Sequence, residues 1–596
     1  MRLIRFLFRF IVGVLALVGL LIVLLVAGIA TLGWRYAAAP APSVPAVAVL
    51  EVDLRDGVVE RRREGLLLRT SLGPELVLRD LTTVLEAAAR DPRIKGLTAR
   101  FGSGGMNYAQ AQEIRDAVIA FRRQGKFAVA FADTYDGGNI DYLLATAFDE
   151  IWLQPSGEVG LAGILIEAPF LREALDNIGV TPQLDQRREY KGGADTFAAK
   201  GMSQAQRRNL QQLADSLVAQ IVRAVAVGRK LDEARARSLL DQGPWLAKEA
   251  MEAGLVDRLG YWDEVRLATS SRAGSGAGGI GVADYLAQVE PPPASAKRFA
   301  LVYGLGPIRP GVGGDRLIGD EGIAGDRLAT AIGDAVADPG IAAIILRIDS
   351  PGGSYVASDT VWREVERSRH AGKPLVVSMG GIVASGGYFI AAPASGIVAE
   401  PGSITGSIGV YAGKFVLDEL WDRLGVSWEG VESGENAGMW SANRPYSNSQ
   451  WAKLQAMLDR IYSDFTAKVA VGRNLPIGKV DEIAGGRIWS GADAAGVGLV
   501  DELGGLGTAV AMARRQAGIA EGEAIRLEEF PPVRSPVETL VEQVTGRSAA
   551  APELTRTLRH LVLLADRLAP VLDRLALILD RAEDDRLAMP PMRASD

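Results

Sequence analysis

The residue whose setting most clearly permits chemistry is Ser385, which lies in ASGGYFIAA directly before two glycines and an apolar helical run. A serine at such a position commonly caps the N-terminus of a helix. The same strand-to-helix turn would also expose the hydroxyl as a nucleophile and direct the following N–H at a developing oxyanion. A second glycine-rich turn, LRIDSPGGS at 346–354, could present backbone N–H groups to a ligand, or could be an ordinary tight turn.

A serine nucleophile needs a base, and the chain has only two histidines, His370 and His560. His370 ends a polar helical stretch and His560 lies in the C-terminal tail, so we interpret both as solvated or helix-terminal residues. A Ser-His-Asp triad is therefore disfavoured, and lysine is the known alternative base. The chain also lacks cysteine, which excludes thiol nucleophiles, Cys-based zinc sites and iron–sulfur clusters. We predict neither a metal nor a cofactor.

An internal duplication indicates where that lysine is. DPRIKGL at 91–97 returns as DPGIAAI at 338–344, and GLVDRLG at 254–260 returns as GLVDELG at 498–504. The two copies are offset by 244 to 247 residues, so we predict that the chain contains the same fold twice.

The copies differ where chemistry would take place. At the offset of 246, Ser385 aligns with Asn139, so the first copy lacks the serine. Lys191 of REYKGGAD has no lysine at the matching positions 435–437, so the second copy lacks the lysine. One copy keeps a candidate nucleophile and the other a candidate base, which is the pattern expected of a duplicated enzyme whose halves share one active site.

Each copy alternates short β-branched runs with longer helical patterns, which predicts parallel sheets covered by helices. We therefore predict an α/β protein with two tandem domains, at residues 37–285 with the lysine and at 286–530 with the serine. Long helical stretches at 204–240 and 448–470 close the copies and are expected to contact the neighbouring half. The Gly/Ser/Ala run at 271–279, with the three prolines that follow it, predicts the join between the domains.

The N-terminal residues 10–34 carry no charge, are rich in Leu, Val and Ile, and follow Arg2, Arg5 and Arg9. At about 1.5 Å per residue this run spans a bilayer core with some tilt. A cleaved signal peptide is the alternative, but its apolar region is usually only about 7 to 15 residues long, so we predict a retained transmembrane anchor within residues 1–36. The positive-inside rule places the N-terminus in the cytoplasm and both domains in the periplasm of a bacterium, as a single-pass inner-membrane protein.

The duplication ends near residue 531. The tail at 531–596 has an amphipathic helical pattern interrupted at Pro570, and this pattern favours packing on its own or a partner chain, with the membrane surface as the alternative. The net charge is −7 and there is no long basic run, so a nucleic-acid partner has no electrostatic support.

The motifs DSPGG, ASGGYF and TGSIGV, with YKGG in the other copy, together resemble the signal peptide peptidase A family, also called protease IV, in its long duplicated form. The resemblance covers about residues 45–506 and implies two crotonase or Clp protease-like domains. It also implies a set of roles: Ser385 as nucleophile, Lys191 as general base, Ser407 as the residue that orients the lysine amine, and the backbone N–H groups of Gly352 and Gly386 as the oxyanion hole. A lysine, with a reference pKa of about 10.4, acts as a base at neutral pH only when its charged form is destabilised, most simply by desolvation.

The resemblance further implies hydrolysis of signal peptides and other apolar peptides by a homo-oligomer, a tetramer in that family. Family members often have Ser after the lysine, where this chain has Gly192, which makes the lysine-bearing loop more flexible. Lys200 is the second candidate base, although a solvated surface lysine is its commoner role. Asp349 is assigned to turn structure, and Tyr388, with its repeat partner Tyr142, is assigned to the core.

Two other functions remain open from the sequence. A crotonase-type acyl-CoA enzyme would hold a thioester enolate with the same glycines and would not need Ser385, although acyl-CoA is scarce in the periplasm. A non-catalytic membrane-anchored scaffold would use the duplication only for stacking. Whether Lys191 meets Ser385 of its own chain or of a neighbour is also left open.

Overall fold

The computed structural model describes residues 28, 43–62, 75–313 and 322–532. The anchor predicted at 10–34 lies outside these residues except for Gly28, and the predicted tail helix lies outside them as well. Within the described ranges, no helix is both long enough and apolar enough to cross a membrane.

The first half forms an α/β unit. Its strands are β1 (Ala48–Leu54), β2 (Ile94–Phe101), β3 (Phe127–Ala132), β4 (Glu150–Leu153), β5 (Glu158–Val159), β6 (Thr181–Gln186), β7 (Trp245–Leu246), β8 (Arg258–Leu259) and β9 (Gly278–Gly281). Its helices are α1 (Leu78–Arg90), α2 (Tyr108–Arg122), α3 (Asn139–Ala145), α4 (Arg172–Asn177), α5 (Asp195–Ala198), α6 (Gln204–Arg229), α7 (Glu233–Gln242), α8 (Ala247–Glu252), α9 (Trp262–Ala273) and α10 (Val282–Leu286). Six strands form an all-parallel sheet in the order β8-β4-β3-β2-β1-β9.

The second half repeats this plan. Its strands are β10 (Lys297–Leu305), β11 (Ile308–Arg309), β12 (Ile323–Ala324), β13 (Ile341–Ser350), β14 (Leu375–Ala384), β15 (Gly396–Ala399), β16 (Ile404–Gly406), β17 (Tyr411–Val416), β18 (Ile488–Ser490), β19 (Glu502–Leu503) and β20 (Ile525–Phe530). Its helices are α11 (Gly325–Ala337), α12 (Tyr355–His370), α13 (Gly386–Ala391), α14 (Asp418–Leu424), α15 (Asn448–Gly472), α16 (Ile477–Ile483), α17 (Gly491–Gly496) and α18 (Leu506–Gln516). The sheet has the order β18-β16-β14-β13-β10-β20, with β15 and β19 branching from β14, and only the β16–β18 pair is antiparallel.

Both sheets are buried on their two faces, as parallel sheets require. In the first half, one apolar cluster includes Leu50 and Phe101, and a smaller cluster on the opposite face includes Phe131 and Trp152. In the same half, the six residues of the central strand β3 are all buried. The second half likewise has an apolar cluster on each face of its sheet. The predicted pair of α/β halves with parallel sheets is confirmed.

The predicted join is only partly right, because its glycine-rich part at 271–279 belongs to the first half. Its first residues end α9, and Gly278–Gly281 form β9, which pairs in parallel with β1 as β20 pairs with β10 in the other half. Strand pairing uses the backbone, so a glycine-rich segment can still complete a sheet. The three prolines at 291–293, the second part of the prediction, do lie in the connection between the halves, which is the segment 287–296 between α10 and β10.

The long helices connect the two halves, as predicted. Asn209 on α6 binds both backbone polar groups of Ile488 at 2.9 Å, and Ser216 lies 2.8 Å from the hydroxyl of Ser490. In return, the carbonyl of Gln455 on α15 accepts a hydrogen bond from Arg187 of the first half. The predicted stretch 204–240 is divided, however, because α6 stops where Lys230 adopts the left-handed conformation and Asp232 caps α7.

Candidate active site

Ser385 is the single residue between β14 and α13. Its backbone has φ 54° and ψ −119°, a conformation that residues other than glycine rarely adopt. The turn is fixed on both sides, since the N–H of Ser385 donates to the carbonyl of Gly406 and its carbonyl accepts from Phe389, each at 2.9 Å. Its side chain makes no capping hydrogen bond to any described residue, which removes the helix-cap interpretation. A strained strand-to-helix turn of this kind exposes a hydroxyl for attack.

Lys191 reaches this hydroxyl from the other half of the same chain. Its Nζ donates to Ser385 Oγ at 2.9 Å, to Ser407 Oγ at 2.9 Å and to the Ser407 carbonyl at 2.8 Å. A neutral amine in this position would keep two N–H donors for Ser407 and offer its lone pair to the hydroxyl proton of Ser385. The structure thus brings together three of the predicted site residues, and it pairs Lys191 with Ser385 within one chain.

The lysine is buried, with 6% of its surface exposed. Burial lowers the pKa of Lys191 to about 7, because the low-dielectric surroundings penalise the ammonium form. At neutral pH a large fraction of this lysine is therefore unprotonated and able to accept a proton.

A two-stranded ribbon, with one strand from each half, places the lysine. β6 ends shortly before Lys191 and β17 begins shortly after Ser407, and the two strands pair antiparallel from Gln186–Tyr411 to Thr181–Val416. The N–H of Arg187 continues the ladder by donating to the carbonyl of Val410 at 2.8 Å. The ribbon therefore holds the lysine-bearing segment and the Ser407 segment in fixed register.

A glycine allows the lysine backbone to approach the second half. A Cβ on Gly486, whose φ is +86°, would lie 2.4 Å from the backbone nitrogen of Lys191 and 2.5 Å from its Cα. Only glycine fits this crossing. The sequence patterns do not predict this role, although the glycine pair in AGGRIWS has the same form as the pairs after Ser385 and in DSPGG.

The predicted oxyanion residues lie beside Ser385. A Cβ on Gly352, whose φ is +102°, would lie 2.9 Å from the Cβ of Ser385 and 2.7 Å from the nitrogen of Gly386. Gly386 is the first residue of α13, where N–H groups have no intrahelical acceptor. The N–H of Gly352 donates to Ser350 Oγ at 3.2 Å, a long hydrogen bond that a substrate oxygen would have to replace.

The structure places the other candidates away from this chemistry. Lys200 is exposed and forms an ion pair with Glu173 at 3.0 Å. The carboxylate of Asp349 accepts the N–H groups of Gly381 and Ile382, so it holds the irregular part of β14 that leads to Ser385.

The repeated tyrosines have equivalent structural roles. Tyr388 donates to the carbonyl of Leu499 and Tyr142 to that of Leu255, and both rings are buried. His370 lies on the surface near Glu366. Among the residues with described positions, no group of three or more His, Asp or Glu side chains could hold a metal ion.

A serine hydroxyl on a strained turn, in contact with a buried amine, is the arrangement expected of a serine hydrolase that carries out acyl transfer. The model of peptidase family S49 matches this chain twice, at residues 120–274 and 367–520, once in each half. The chain belongs to peptidase family S49 and is a serine protease. The predicted resemblance to the duplicated signal peptide peptidase A or protease IV family is thereby confirmed.

Relatives cover most of the chain. It is 30% identical over 529 residues to the chloroplastic serine protease SPPA of Arabidopsis thaliana, which corresponds to 86% of this chain and 75% of that protein. It is 30% identical over 494 residues to Protease 4 of Salmonella typhi, covering 80% and 78% of the two chains. Protease 4 of Haemophilus influenzae is also 30% identical, over 470 residues, with 75% and 74% covered.

Proposed function

We propose that this protein is a membrane-anchored serine endopeptidase that degrades cleaved signal peptides and other apolar peptides through a Ser385/Lys191 dyad. The contact of the buried Lys191 amine with Ser385 and Ser407 carries the proposal. This contact supplies a base of suitable pKa at hydrogen-bond distance from a hydroxyl on a strained turn.

In acylation, the neutral amine of Lys191 takes the hydroxyl proton of Ser385 while Oγ attacks the scissile carbonyl carbon. Ser407 holds the amine in place through its hydroxyl and carbonyl oxygens. The N–H groups of Gly352 and Gly386 stabilise the oxyanion of the tetrahedral intermediate. Lys191 then gives the proton to the leaving amine, which departs as the acyl-enzyme forms. A water molecule, deprotonated by the same lysine, then attacks the ester carbonyl carbon. The bond to Ser385 Oγ breaks, the lysine returns the proton to Oγ, and the acid product leaves.

The setting of this site forms part of the proposal. Residues 10–34 would anchor the chain in the bacterial inner membrane, with the N-terminus in the cytoplasm and both halves, of crotonase or Clp protease type, in the periplasm. The chain would act as a homo-oligomer, a tetramer by resemblance. The uncharged apolar run at 10–34, which follows Arg2, Arg5 and Arg9, supports the anchor and its orientation.

The two alternative functions have less support. An acyl-CoA enzyme and a non-catalytic scaffold give no reason for a strained serine in contact with a buried lysine, and membership of a peptidase family favours proteolysis over both.

Hydrolysis of an apolar fluorogenic peptide by the detergent-solubilised full chain tests the dyad. We expect Ser385→Ala and Lys191→Ala each to lower kcat/KM by at least about a thousandfold, as removal of members of other serine protease sites does. Lys200→Ala is the matched control, because its amine lies exposed on the same segment, and it should keep wild-type activity. Full activity of Ser385→Ala would overturn the mechanism and return the acyl-CoA alternative.

A further inference from the structure

Two side chains next to the dyad contact each other across the two halves. Tyr190 directly precedes Lys191, and Arg487 lies on the second half just before β18. The guanidinium carbon of Arg487 lies 3.9 Å from the centre of the Tyr190 ring, and Arg487 Nη2 donates to the Tyr190 hydroxyl at 2.6 Å. The contact combines cation–π stacking with a charge-assisted hydrogen bond, and both side chains are half-buried.

The backbone around Arg487 forms hydrogen bonds both to the segment that carries Lys191 and to the segment that carries Ser407. The carbonyl of Arg487 accepts the N–H of Ser407 at 2.6 Å, and the N–H of Gly486 donates to the carbonyl of Ile408 at 2.8 Å. The carbonyl of Gly485 accepts the N–H of Tyr190 at 3.1 Å. The turn 484–487 therefore touches the residue before the lysine and the residue that binds the lysine amine.

The segment that carries Lys191 contains residues that leave its backbone free to move unless tertiary contacts restrain it. Two glycines follow Lys191, and glycine leaves the backbone more conformational freedom than any other residue. On the side that precedes Lys191, Tyr190 is fixed by its backbone hydrogen bond and by Arg487. Displacing a reacting group by about 1 Å can cost about a hundredfold in rate, so restraint of this segment bears directly on turnover.

We propose that Tyr190 and Arg487 are positioning residues that hold Lys191 against Ser407 and thereby keep its amine on Ser385. This role rests on the proposed Ser385/Lys191 mechanism. Neither side chain contacts the reacting atoms, so both act through the lysine backbone and the Ser407 turn. The pair offsets the freedom that the two glycines after Lys191 introduce.

Steady-state kinetics of the solubilised full chain, at a temperature well below unfolding, test the role. Arg487→Ala removes the stacking and the hydrogen bond, and we expect kcat to fall by about ten- to a hundredfold with KM within about twofold of wild type. Arg487→Lys keeps the charge but not the planar guanidinium, and should restore less than half of the lost kcat. Tyr190→Phe keeps the ring and loses only the hydrogen bond, so its kcat should fall by about threefold.

Arg258→Ala is the matched control, because the Arg258 guanidinium lies 5.2 Å from the Trp152 ring in the first half, away from the dyad. It should keep wild-type kcat. A lowered melting temperature of Arg487→Ala with wild-type kcat would show that the contact is merely structural and would overturn the proposal. If Arg487→Ala does not fold, Tyr190→Phe decides, and wild-type kcat in that variant would overturn the proposal equally.

The rate at which a fluorophosphonate probe labels the serine separates this proposal from the mechanism on which it rests. Slow labelling of Arg487→Ala, with fast labelling of the wild type and none of Lys191→Ala, supports both. Failure of the wild type to label at Ser385 would overturn the dyad itself. Normal labelling of Arg487→Ala beside an inert Lys191→Ala would overturn only the positioning role.

Discussion

The equivalent turns of the two halves carry Ser385 in the second half and Asn139 in the first, and these two side chains have different hydrogen-bond partners. The Asn139 amide donates to the carbonyl of Gly163 and accepts the N–H of Ala162, so it fastens its turn to the adjacent loop. In the second half the corresponding loop carries Ser407, whose oxygens instead receive the amine of Lys191. The side chain at this turn position therefore links the two loops in the first half, whereas in the second half it contacts a lysine from the other half.

Two further aligned positions near these turns also carry different side chains in the two halves. Leu161 aligns with Ser407 and is fully buried, so the first half has an apolar side chain where the second has the hydroxyl that binds the lysine. Asp141 aligns with Gly387, where the second half has no side chain. The strands and the tyrosine contacts of Tyr142 and Tyr388 are nevertheless retained in both halves. The proposed chemistry therefore depends on a few side chains, while the repeated framework of strands and helices forms equally well without them.

The largest effect we predict concerns an attempt to restore the missing serine. The double variant with Ser385→Ala and Asn139→Ser should stay at least about a thousandfold below wild type in peptide hydrolysis, the level of Ser385→Ala alone. The new hydroxyl would lack Ser407, whose aligned position in the first half is the buried Leu161, and Lys191 binds to the second half. Recovery of activity, or labelling of residue 139 by a fluorophosphonate, would show that the halves are chemically equivalent.

Burial of the Lys191 amine should lower the stability of the folded chain at neutral pH. The pKa of Lys191 is about 7 when folded and 10.5 in its reference state, so the unfolded chain binds the proton more tightly. The contribution of Lys191 to the free energy of unfolding therefore decreases as pH falls from about 10.5 to about 7, by about 1.4 kcal/mol per pH unit. Below pH 7 this contribution stays constant. Lys191→Met removes this cost, so its melting temperature should exceed that of wild type at pH 7.

The difference between Lys191→Met and wild type should narrow as pH is raised from 7 to 10. Lys200→Met is the control, since its exposed amine forms only a surface ion pair, and its melting temperature should follow wild type across the range. A difference for Lys191→Met that does not vary with pH would mean that the lysine is buried without a shifted pKa.

The sequence predicts the doubled α/β framework and the residues that the site brings together, because these depend on repeated motifs and on local periodicity. Ser385 and Lys191 stand out since each is present in one copy and absent from the other. The β6–β17 ribbon is not predictable in this way. The strand TPQLDQ has no clear apolar alternation, is only partly buried, and pairs through its backbone with a strand of the other half. The role of Gly486 likewise follows only from a tertiary crossing.

The smallest effect we predict concerns the buried acid of the first half, Asp141, which has no counterpart side chain in the second. Asp141 is 3% exposed and its Oδ2 has no hydrogen-bond partner among the described residues. Burial, and then the charge of Asp136, raise the pKa of Asp141 to about 7 from 3.8. The folded chain thus binds the proton more tightly, and stability is lost as pH rises from about 4 to about 7.

Asp141→Asn keeps the shape and removes the ionisation, so it should raise the melting temperature at pH 8 and have little effect at pH 4. The gain at pH 8 should correspond to a free energy of unfolding about 2 to 4 kcal/mol higher, set by the size of the pKa shift. Asp481→Asn, at an exposed position of the second half, is the control and should change the melting temperature equally little at both pH values. An equal effect of Asp141→Asn at pH 4 and pH 8 would mean that the folded first half accommodates the charged Asp141 carboxylate without a raised pKa. The two turns would then differ in polarity at this position, where the second half has Gly387, as well as at the position of Ser385.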